Sequence, residues 1–574
     1  MLRPVYTEPD KCRRCYKCIR ECPVKAIQVD HDRISIMPDR CIWCGRCTEV
    51  CPTGAKKLRD GLTRARMTVA KYPSAILALD PAYISEFDNV TPEVLVAAIR
   101  RLGFGGVSET ALSARLVTGR IRRFLEEARP GAYYTSTCPV VVNYIRKYRP
   151  ERLADLIPVV SPMIAHARLL KQLYGDDLRI IYAGPCIGAK YDADKHSDLI
   201  SVAITFQDLR QWFDRAGIDL QTVTSGPDDR FVPRQADSGS LYAAEGGLLA
   251  ELGALTGTTG HMAFSGLAAV KATLSDSRLH PDRPLLIELN ACKGGCINGP
   301  GCSHRTTPAA NRYTLFSRRT ARPTPEPDHK PDLEATFHAD PQPEESFTEQ
   351  RIRETLASIG KYAPEDELDC GSCGYGTCRD FARALLEGRA RNNMCIAFMR
   401  RMAHDKATVL LRTIPVGIVI VNSNLRIADM NRAFAAAIGG ETLAAYELFP
   451  GMEGVPLQEI CAFEPYFKTV IATGEELKER RIRGNDRTWL LSIYNINPKK
   501  QVLGVLQNLH EPSVRKEWLI EKTREVLGNH MTTVQKIAGL LGENAAYTDA
   551  TLRSIIEAYD RGVEEIPTKH PSEE

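Results

Sequence analysis

The sequence lacks several features that would assign it at once to a broad class of protein. No apolar run approaches the ~20 residues needed to cross a bilayer, and residues 1–6 show no charged-then-apolar leader. The net charge is only +4, which does not predict nucleic-acid binding, and no glycine-rich phosphate loop of the Walker type is present. We therefore expect a cytoplasmic protein that binds neither membranes nor nucleic acid.

Cysteine, by contrast, is abundant, and its spacing is more informative than its number. The 574 residues include 18 cysteines, which in a small secreted protein would suggest disulfides. Here they recur at ligand-like intervals in a large chain, which favours metal binding in a reducing compartment. The length predicts three to five domains at roughly 100–200 residues each, and a composition of 43% hydrophobic and 25% charged residues is ordinary for globular protein.

Residues 1–66 contain an internal repeat that reads Cys-x-x-Cys-x-x-Cys-x-x-x-Cys-Pro in each copy. This spacing resembles that of a two-cluster bacterial ferredoxin. Zinc is disfavoured because two tetrahedral zinc sites do not require the Cys-Pro repeat. Between the copies, residues 27–30 and 33–36 predict a short hairpin. The resemblance implies two 4Fe–4S clusters with crossed fourth ligands, one on Cys12, Cys15, Cys18 and Cys51 and the other on Cys41, Cys44, Cys47 and Cys22.

Residues 67–317 alternate apolar strand-like runs with amphipathic helices. Buried strands are predicted at 75–79, 132–135 and 179–183, and a helix at 92–102 with Thr91 as its N-cap. Such alternation favours a parallel sheet covered by helices, with sites at the ends of strands. Together with the other modules, it predicts a multidomain fold of α/β and α+β type.

Four further cysteines follow strand-like runs in this region, at Cys138, Cys186, Cys292 and Cys296. Two lie beside prolines, and two lie in a glycine-rich loop that lets backbone approach a bulky ligand. The segments resemble the three signature loops of the FeFe-hydrogenase catalytic domain. The resemblance implies that the four thiolates hold the 4Fe–4S part of an H-cluster, and that Cys296 bridges to its two-iron subsite. The alternative is that they are small buried hydrophobes.

The departures from that family pattern concern the groups around the two-iron subsite. Catalytic members have a proton-relay cysteine immediately before the first cluster cysteine, whereas this chain has Thr137, whose hydroxyl is a poor relay near neutral pH. The family lysine that faces a cyanide ligand falls on Ala189, so either the loop shifts until Lys190 reaches the site or the contact is lost. Covering methionines appear as Gly184 and Asn290. These changes are those expected of a sensory branch of the family.

Residues 318–345 are rich in proline and charge, which predicts a semi-rigid linker. Residues 346–402 begin with capping residues and a helix that carries Ile352, Leu356 and Ile359 on one face. They then contain a C-x2-C-x4-C-x16-C spacing that resembles a single-cluster domain, with zinc as the alternative. The implied ligands of this third 4Fe–4S cluster are Cys370, Cys373, Cys378 and Cys395. Of the two remaining cysteines, Cys302 is expected to be an inert small residue and Cys461 a core residue.

Residues 403–512 resemble a PAS domain. The stretch 411–434 predicts helix, strand, turn, strand and helix, and the stretches 487–493 and 501–509 predict closing strands. No histidine lies between His404 and His510, which argues against a histidine-ligated haem. The domain is expected either to pass a change of cluster state onward or to serve for dimerisation.

Residues 513–574 predict C-terminal helices for signalling or dimerisation, with packing on the PAS domain as the alternative. A homodimer is therefore expected. His530 has little weight as a phosphoacceptor because no ATP-binding domain follows it.

These features predict a hydrogen-sensing FeFe-hydrogenase-like protein that slowly oxidises dihydrogen and relays redox state to the PAS domain. Residues 1–66 hold fifteen Lys and Arg against eight Asp and Glu, which either steers an acidic redox partner such as ferredoxin or offsets cluster charge. The expected output partner is a phosphatase or kinase. Two alternatives stay open: an iron–sulfur electron-transfer or assembly protein without the two-iron subsite, and a working ferredoxin-linked hydrogenase.

Overall fold

The structure is a computed structural model that describes residues 3–508 with nine short gaps. Within it the chain forms two compact units, Met1–Met394 and Cys395–Glu574. The predicted C-terminal helices and His530 lie outside the described residues. The gaps are residues 31–32, 237, 254–259, 280, 304–305, 319–329, 343–344, 485–486 and 498–499.

The first unit begins with an amino-terminal region, residues 3–60, made of two small antiparallel sheets. Its strands are β1 Val5–Thr7, β2 Ile27–Asp30, β3 Arg33–Ile36 and β4 Lys56–Leu58, and its helices are Pro9–Lys11, Lys17–Arg20 and Arg46–Glu49. Strand β1 pairs with β4, and β2 pairs with β3 from Ile27 opposite Ile36 to Asp30 opposite Arg33. The predicted hairpin is confirmed.

The central region, residues 62–342, contains two parallel sheets. A four-stranded sheet has the order β6-β5-β8-β9, and a three-stranded sheet has the order β10-β11-β7. The prediction of parallel strands is confirmed, although the strands divide between two sheets. These strands are β5 Ile76–Leu79, β6 Gly106–Glu109, β7 Gly131–Tyr134, β8 Ile180–Gly184, β9 Val202–Thr205, β10 Gly260–Ser265 and β11 Pro284–Asn290.

Helices cover the four-stranded sheet on both sides, so that every position of its strands is buried. In β5, Ile76 and Ala78 pack into one hydrophobic cluster, whereas Leu77 and Leu79 pack into another on the opposite face. The helices of this region are Leu62–Lys71, Tyr83–Glu86, Pro92–Arg101, Ala111–Glu127, Pro139–Tyr148, Pro150–Asp155, Pro162–Tyr174, Ile187–Lys195, Phe206–Ala216, Ser238–Ala243, Gly247–Leu252, Leu267–Ser275, Cys296–Asn298 and Pro308–Arg318.

The second half of the predicted linker differs from a free spacer. Backbone N–H of Val160 donates to Leu333 at 2.9 Å, and that of Ala335 donates to Pro158 at 3.2 Å. Leu333 is buried, so the segment is held by an apolar contact as well as by backbone hydrogen bonds. Composition reveals a proline-rich segment but not the strand edge to which it binds.

The small cysteine region, residues 348–394, completes the first unit. Its helix Glu349–Ser358 begins at the N-cap Thr348, and the predicted apolar face of Ile352, Leu356 and Ile359 is buried as expected. Its other helices are Pro364–Asp366, Cys378–Leu386 and Asn392–Met394. The cysteine loop therefore joins two helices that pack on each other.

The second unit contains a five-stranded antiparallel sheet in the order β13-β12-β16-β15-β14. Its strands are β12 Gly417–Asn422, β13 Ile427–Met430, β14 Leu477–Gly484, β15 Arg487–Asn497 and β16 Gln501–Asn508, and its helices are Ile396–Thr413, Arg432–Ile438, Gly440–Leu448, Leu457–Glu459 and Glu464–Thr473. Four of these strands fall on predicted stretches, but β14 was not predicted. Cys461 lies in the apolar core of this unit, as expected. Among the described helices of the whole chain, none combines the length and apolarity that spanning a membrane requires.

The predicted cap of helix Pro92–Arg101 provides a local test. The Thr91 hydroxyl accepts a hydrogen bond from the backbone N–H of Val94 at 3.4 Å. We expect Thr91→Ala to destabilise the first turn by about 1 kcal/mol, whereas Thr91→Ser keeps an acceptor there. Amide hydrogen exchange in peptides from residues 92–101 should be faster in Thr91→Ala alone. Equal rates in all three proteins would contradict the cap.

Candidate functional site

Three loops from the two parallel sheets meet around one cavity. Each follows the carboxyl end of a strand, namely β7, β8 and β11. The cavity has a volume of about 80 Å³, several times the ~10–15 Å³ that one water needs. The structure thus brings together the four cysteines predicted for the central site, since the cavity is lined by Cys138, Cys186, Cys292 and Cys296.

Two of these cysteines lie at helix N-termini for a reason that the sequence makes plain. Cys138 precedes Pro139, which suits the first position of helix Pro139–Tyr148, and Cys186 is the N-cap of helix Ile187–Lys195. The positive end of a helix dipole favours a thiolate over a thiol. The helix N-termini therefore stabilise the thiolate form of both cysteines, which is the form that binds metal.

Glycines allow the loops to approach one another closely. A Cβ on Gly188 would lie 2.8 Å from Cγ2 of Val140, between the first two loops. Gly295 has φ of +102°, and a Cβ there would lie 2.5 Å from the carbonyl oxygen of Ala243. Both positions exclude larger side chains, so the glycine-rich sequence is required by packing as well as by backbone conformation.

Burial controls the charge state of the central thiols. It raises the pKa of all four above the ordinary value. A buried thiolate needs a compensating positive charge, which iron would supply. Within the described residues no three Cys, His, Asp or Glu side chains are arranged to hold a single metal ion. The all-sulfur donor set fits an iron–sulfur cluster, and these residues would hold it.

Two hydroxyl groups on the cavity wall offer a further test of fit to a bound group. The side-chain oxygens of Ser161 and Tyr242 are buried in the cavity wall, where the Ser161 hydroxyl lies beside Asp192 and the Tyr242 hydroxyl lies beside Thr137. Buried hydroxyls favour hydrogen-bond partners, so both are suited to contact a polar group in the cavity. Thr137 also lines the cavity, and its hydroxyl lies beside Tyr242.

The structure places Lys190 away from the cavity, whose wall at this point is Ala189. The Lys190 ammonium is fully buried, donates to the backbone oxygen of Arg59 at 3.0 Å and pairs with Asp208 at 2.8 Å. A one-residue shift of the loop therefore does not bring this lysine to the cluster position. Asn290, at a covering-methionine position, does line the cavity.

Three acidic or phenolic residues near the cavity were missed from the sequence. Tyr182 donates to the Asp80 carboxylate at 2.6 Å, and burial raises the pKa of Asp80. Both residues line the cavity. Glu288 accepts from the backbone N–H of Gly246 at 3.2 Å and from the Asn290 side chain at 2.9 Å. Asp80 directly follows a buried strand, and Glu288 lies within one. A charged residue at such a position is the feature of the sequence that could have identified both as candidate site residues.

The eight cysteines of the amino-terminal region are predicted to divide into two crossed groups. Besides burial, the thiols of Cys15, Cys12 and Cys51 raise the pKa of Cys18, and those of Cys44, Cys22 and Cys47 raise that of Cys41. Cys18 also raises the pKa of Cys47, so the two predicted groups lie within electrostatic range of each other. We refer to the group of Cys12, Cys15, Cys18 and Cys51 as the first amino-terminal site and to the group of Cys22, Cys41, Cys44 and Cys47 as the second.

The second amino-terminal site lies against the central loops. A Cβ on Gly45 would lie 2.8 Å from side-chain atoms of both Ile187 and Pro300. The ring of Trp43 lies 5.6 Å from that of Tyr191. Ile42 is fully buried in the same apolar cluster as Cys138, which shows that the two regions share a core.

The small cysteine region presents three of its four predicted ligands within the first unit. Cys370 is exposed, whereas Cys378 is buried, and its backbone N–H donates to Asp369 at 2.6 Å. Cys395 is the first residue of the second unit. Outside the predicted sites, Cys302 is buried in the core beside the third loop, as expected for an inert residue.

Fold and site together define an α/β domain in which four cysteines line one cavity. Comparison with known families agrees. Residues 66–300 match the iron only hydrogenase large subunit, C-terminal domain, residues 4–52 match the 4Fe-4S dicluster domain, and residues 366–397 match a family model named FeS. The central region is thus similar to the iron-only hydrogenase large-subunit domain, and the amino-terminal region is similar to the 4Fe-4S dicluster domain.

Individual relatives are distant. The periplasmic Fe hydrogenase large subunit of Nitratidesulfovibrio vulgaris is 25% identical over 213 residues, which cover 34% of this chain and 50% of that protein. Iron hydrogenase 1 of Clostridium pasteurianum is 22% identical over 286 residues, which cover 41% of this chain and 50% of that protein. The chain thus spans about half the length of the curated relatives it matches.

Among solved structures, the chain is similar to an FeFe-hydrogenase HydA1 from Chlamydomonas reinhardtii, at 17% identity and a TM-score of 0.39. The match covers 49% of this chain and 100% of that chain. The photoactive yellow protein domain of the sensor histidine kinase Ppr from Rhodospirillum centenum covers 18% of this chain and 96% of its own, at 16% identity and a TM-score of 0.15.

The buried pair of Lys190 and Asp208 predicts an effect on stability rather than on iron binding. Lys190→Ala leaves the Asp208 carboxylate without its partner, so we expect a loss of about 3 kcal/mol in the free energy of unfolding. The double variant Lys190→Ala and Asp208→Ala should recover part of that loss. Chemical denaturation and iron analysis of the same samples provide the test. Loss of iron without loss of stability would place Lys190 at the cavity instead.

Glu288 predicts a dependence of stability on pH. Burial raises its pKa from 4.5 to about 7. Between these values the folded state keeps a proton that the unfolded state releases, so stability falls as pH rises through this window and is level above it. The side chain of Glu288→Gln stays neutral at every pH. The free energy of unfolding of this variant, relative to that of wild type, should therefore rise by on the order of 3 kcal/mol from about pH 5 to about pH 8. Denaturation at both pH values measures this gain, and the exposed Glu126→Gln is the control that should show none.

Proposed function

We propose that the protein is a hydrogen-sensing FeFe-hydrogenase-like protein that oxidises dihydrogen slowly. When bound, an H-cluster would supply the two-iron subsite at which dihydrogen is bound and split. Cys138, Cys186, Cys292 and Cys296 would hold the 4Fe–4S part, and Cys296 would also face the two-iron subsite. The observation that carries the proposal is that four thiols from three distant loops line one buried cavity.

The cavity wall supports a sensory role over rapid turnover. Thr137 occupies the relay position, and its hydroxyl does not ionise near neutral pH. The neighbouring Tyr242 is also a poor proton carrier, because burial and the charge of Glu288 raise its pKa well above the ordinary value. Near pH 7 Glu288 is the better proton acceptor of this group, since its own pKa is about 7. A hydroxyl at the relay position would therefore slow proton transfer at the cavity.

The two flanking cysteine regions support passage of electrons away from the central site. The second amino-terminal site shares a core with the central loops, so electrons from the central site would enter the dicluster domain there. A redox partner such as ferredoxin would receive them. With the small-region site, the chain would carry three 4Fe–4S clusters besides the H-cluster.

We further propose that the second unit is a PAS domain and that it transmits the redox state to an output partner, a phosphatase or kinase, as part of a homodimer. The five-stranded antiparallel sheet supports this, as do the helices between β13 and β14. A signal of this kind requires a domain with two arrangements whose balance depends on cluster state.

Infrared spectroscopy of the matured protein tests the proposed cofactor. Bands from carbonyl and cyanide ligands that change between argon and hydrogen are expected. A protein that contains iron and sulfide but lacks these bands would instead be an electron-transfer or assembly protein.

Thr137→Cys tests the sensory assignment. A thiol at this position has a pKa nearer neutrality, and a positioned proton-transfer group contributes ~10²–10⁴-fold to rate, so we expect hydrogen oxidation at least about tenfold faster. Thr137→Ser keeps the hydroxyl and should match wild type. Equal rates in all three proteins would show that proton transfer at this position does not limit turnover.

A further inference from the structure

The small cysteine region contacts the amino-terminal region along an interface with both backbone and side-chain components. Gly374, with φ of +94°, lies in the cysteine loop, and a Cβ there would be 3.1 Å from the backbone N of Arg20. The backbone N–H of Val29 in β2 donates to the carbonyl oxygen of Arg389 at 3.0 Å. The close approach and the backbone bond fix the position of the cysteine loop against the helix Lys17–Arg20.

Charged groups at this interface are complementary. Arg40 pairs with Glu387 at 3.2 Å, with side chains only 21% and 12% exposed, and Glu387 also pairs with Arg389. Arg389 in turn donates to the carbonyl oxygen of Lys25 at 3.4 Å. A largely buried ion pair stabilises an interface more than an exposed one does, because solvent screens its charges less.

The interface brings a thiol of the small region near a thiol of the second amino-terminal site. Burial lowers the pKa of Lys25, and the Cys22 and Cys373 thiols both oppose that shift. The same two thiols act on Tyr375, which is buried at the interface. The packing agrees, because Gly374, which follows Cys373, lies against the backbone of Arg20, two residues before Cys22.

On its other side the second amino-terminal site approaches the central site. Cys44 and Cys186 both pack against the apolar cluster that contains Cys138. The Cys44 thiol also lies within electrostatic range of Cys292. The same group of four cysteines thus adjoins two other cysteine sites, through Cys44 on one side and Cys22 on the other.

We propose that the second amino-terminal site is a branch point, from which electrons pass either to the first amino-terminal site and a redox partner or to the small-region site. In the second branch, the cluster that Cys22, Cys41, Cys44 and Cys47 would hold would give up one electron and be oxidised, and the cluster that the small region would hold would accept that electron and be reduced. No proton or atom moves. The direction from hydrogen to output rests on the proposed function, but the docking and the electronic contact do not.

The test uses the full chain with its 4Fe–4S clusters reconstituted, without the two-iron subsite, and reduced by dithionite. Glu387→Arg places a like charge against Arg40 and Arg389. The matched control is Glu354→Arg, an identical charge reversal at an exposed position of the same region. Because dihydrogen takes no part, failure of the hydrogen-sensing proposal would not affect the outcome.

Two readouts separate docking from electronic contact. Amide hydrogen exchange in peptides spanning β2 should be about tenfold faster in Glu387→Arg than in wild type, because the bond from Val29 to Arg389 opens. Electron paramagnetic resonance should show magnetic coupling between the small-region cluster and the second amino-terminal cluster in wild type and in Glu354→Arg. In Glu387→Arg the small-region cluster should give an uncoupled signal.

Each remaining outcome bears on the proposal. Coupling that persists when β2 exchange has increased would overturn it, as would the absence of coupling in a wild-type protein containing all its clusters. If Glu387→Arg changes neither readout, Gly374→Val is combined with it, since its side chain must displace the backbone at Arg20. Unchanged coupling and exchange in that double variant would also overturn the proposal.

Discussion

The structure depends on one constraint, which is that four sulfurs from distant parts of the chain must share a buried cavity. Burial makes each bare thiolate unfavourable, and the helix N-termini at Cys138 and Cys186 offset only part of this cost. The glycines of the loops let the backbones approach closely enough to form the cavity wall. Metal binding and close packing are therefore requirements of the same residues.

The sequence predicted the parts of this site that are written in local spacing. The spacing of the cysteines predicted which of them act together as ligands. Strand-like runs predicted the positions of the loops that bear Cys138, Cys186 and Cys292. The cap of helix Pro92–Arg101 was also predictable, because it depends on residues three positions apart. Local rules succeed where the interacting groups are neighbours in the chain.

Features that depend on distant pairing were not predictable in this way. The buried partner of Lys190 is Asp208, which lies on another helix and fixes the lysine away from the cavity. Division of the parallel strands between two sheets depends on which strands pair, and periodicity does not encode pairing. Strand β14 was missed because Leu477–Gly484 is highly charged and lacks the apolar alternation of a half-buried strand.

The contact between the proline-rich segment and the central region has a consequence for how this chain is divided. Leu333 and Ala335 complete hydrogen bonds and an apolar surface that belong to the central region. A gene fragment ended at residue 317 would leave the backbone N–H of Val160 without the carbonyl that it binds and would uncover the surface beneath Leu333. The folded region therefore extends past the compositional boundary, and fragments meant to fold alone are better ended after residue 342.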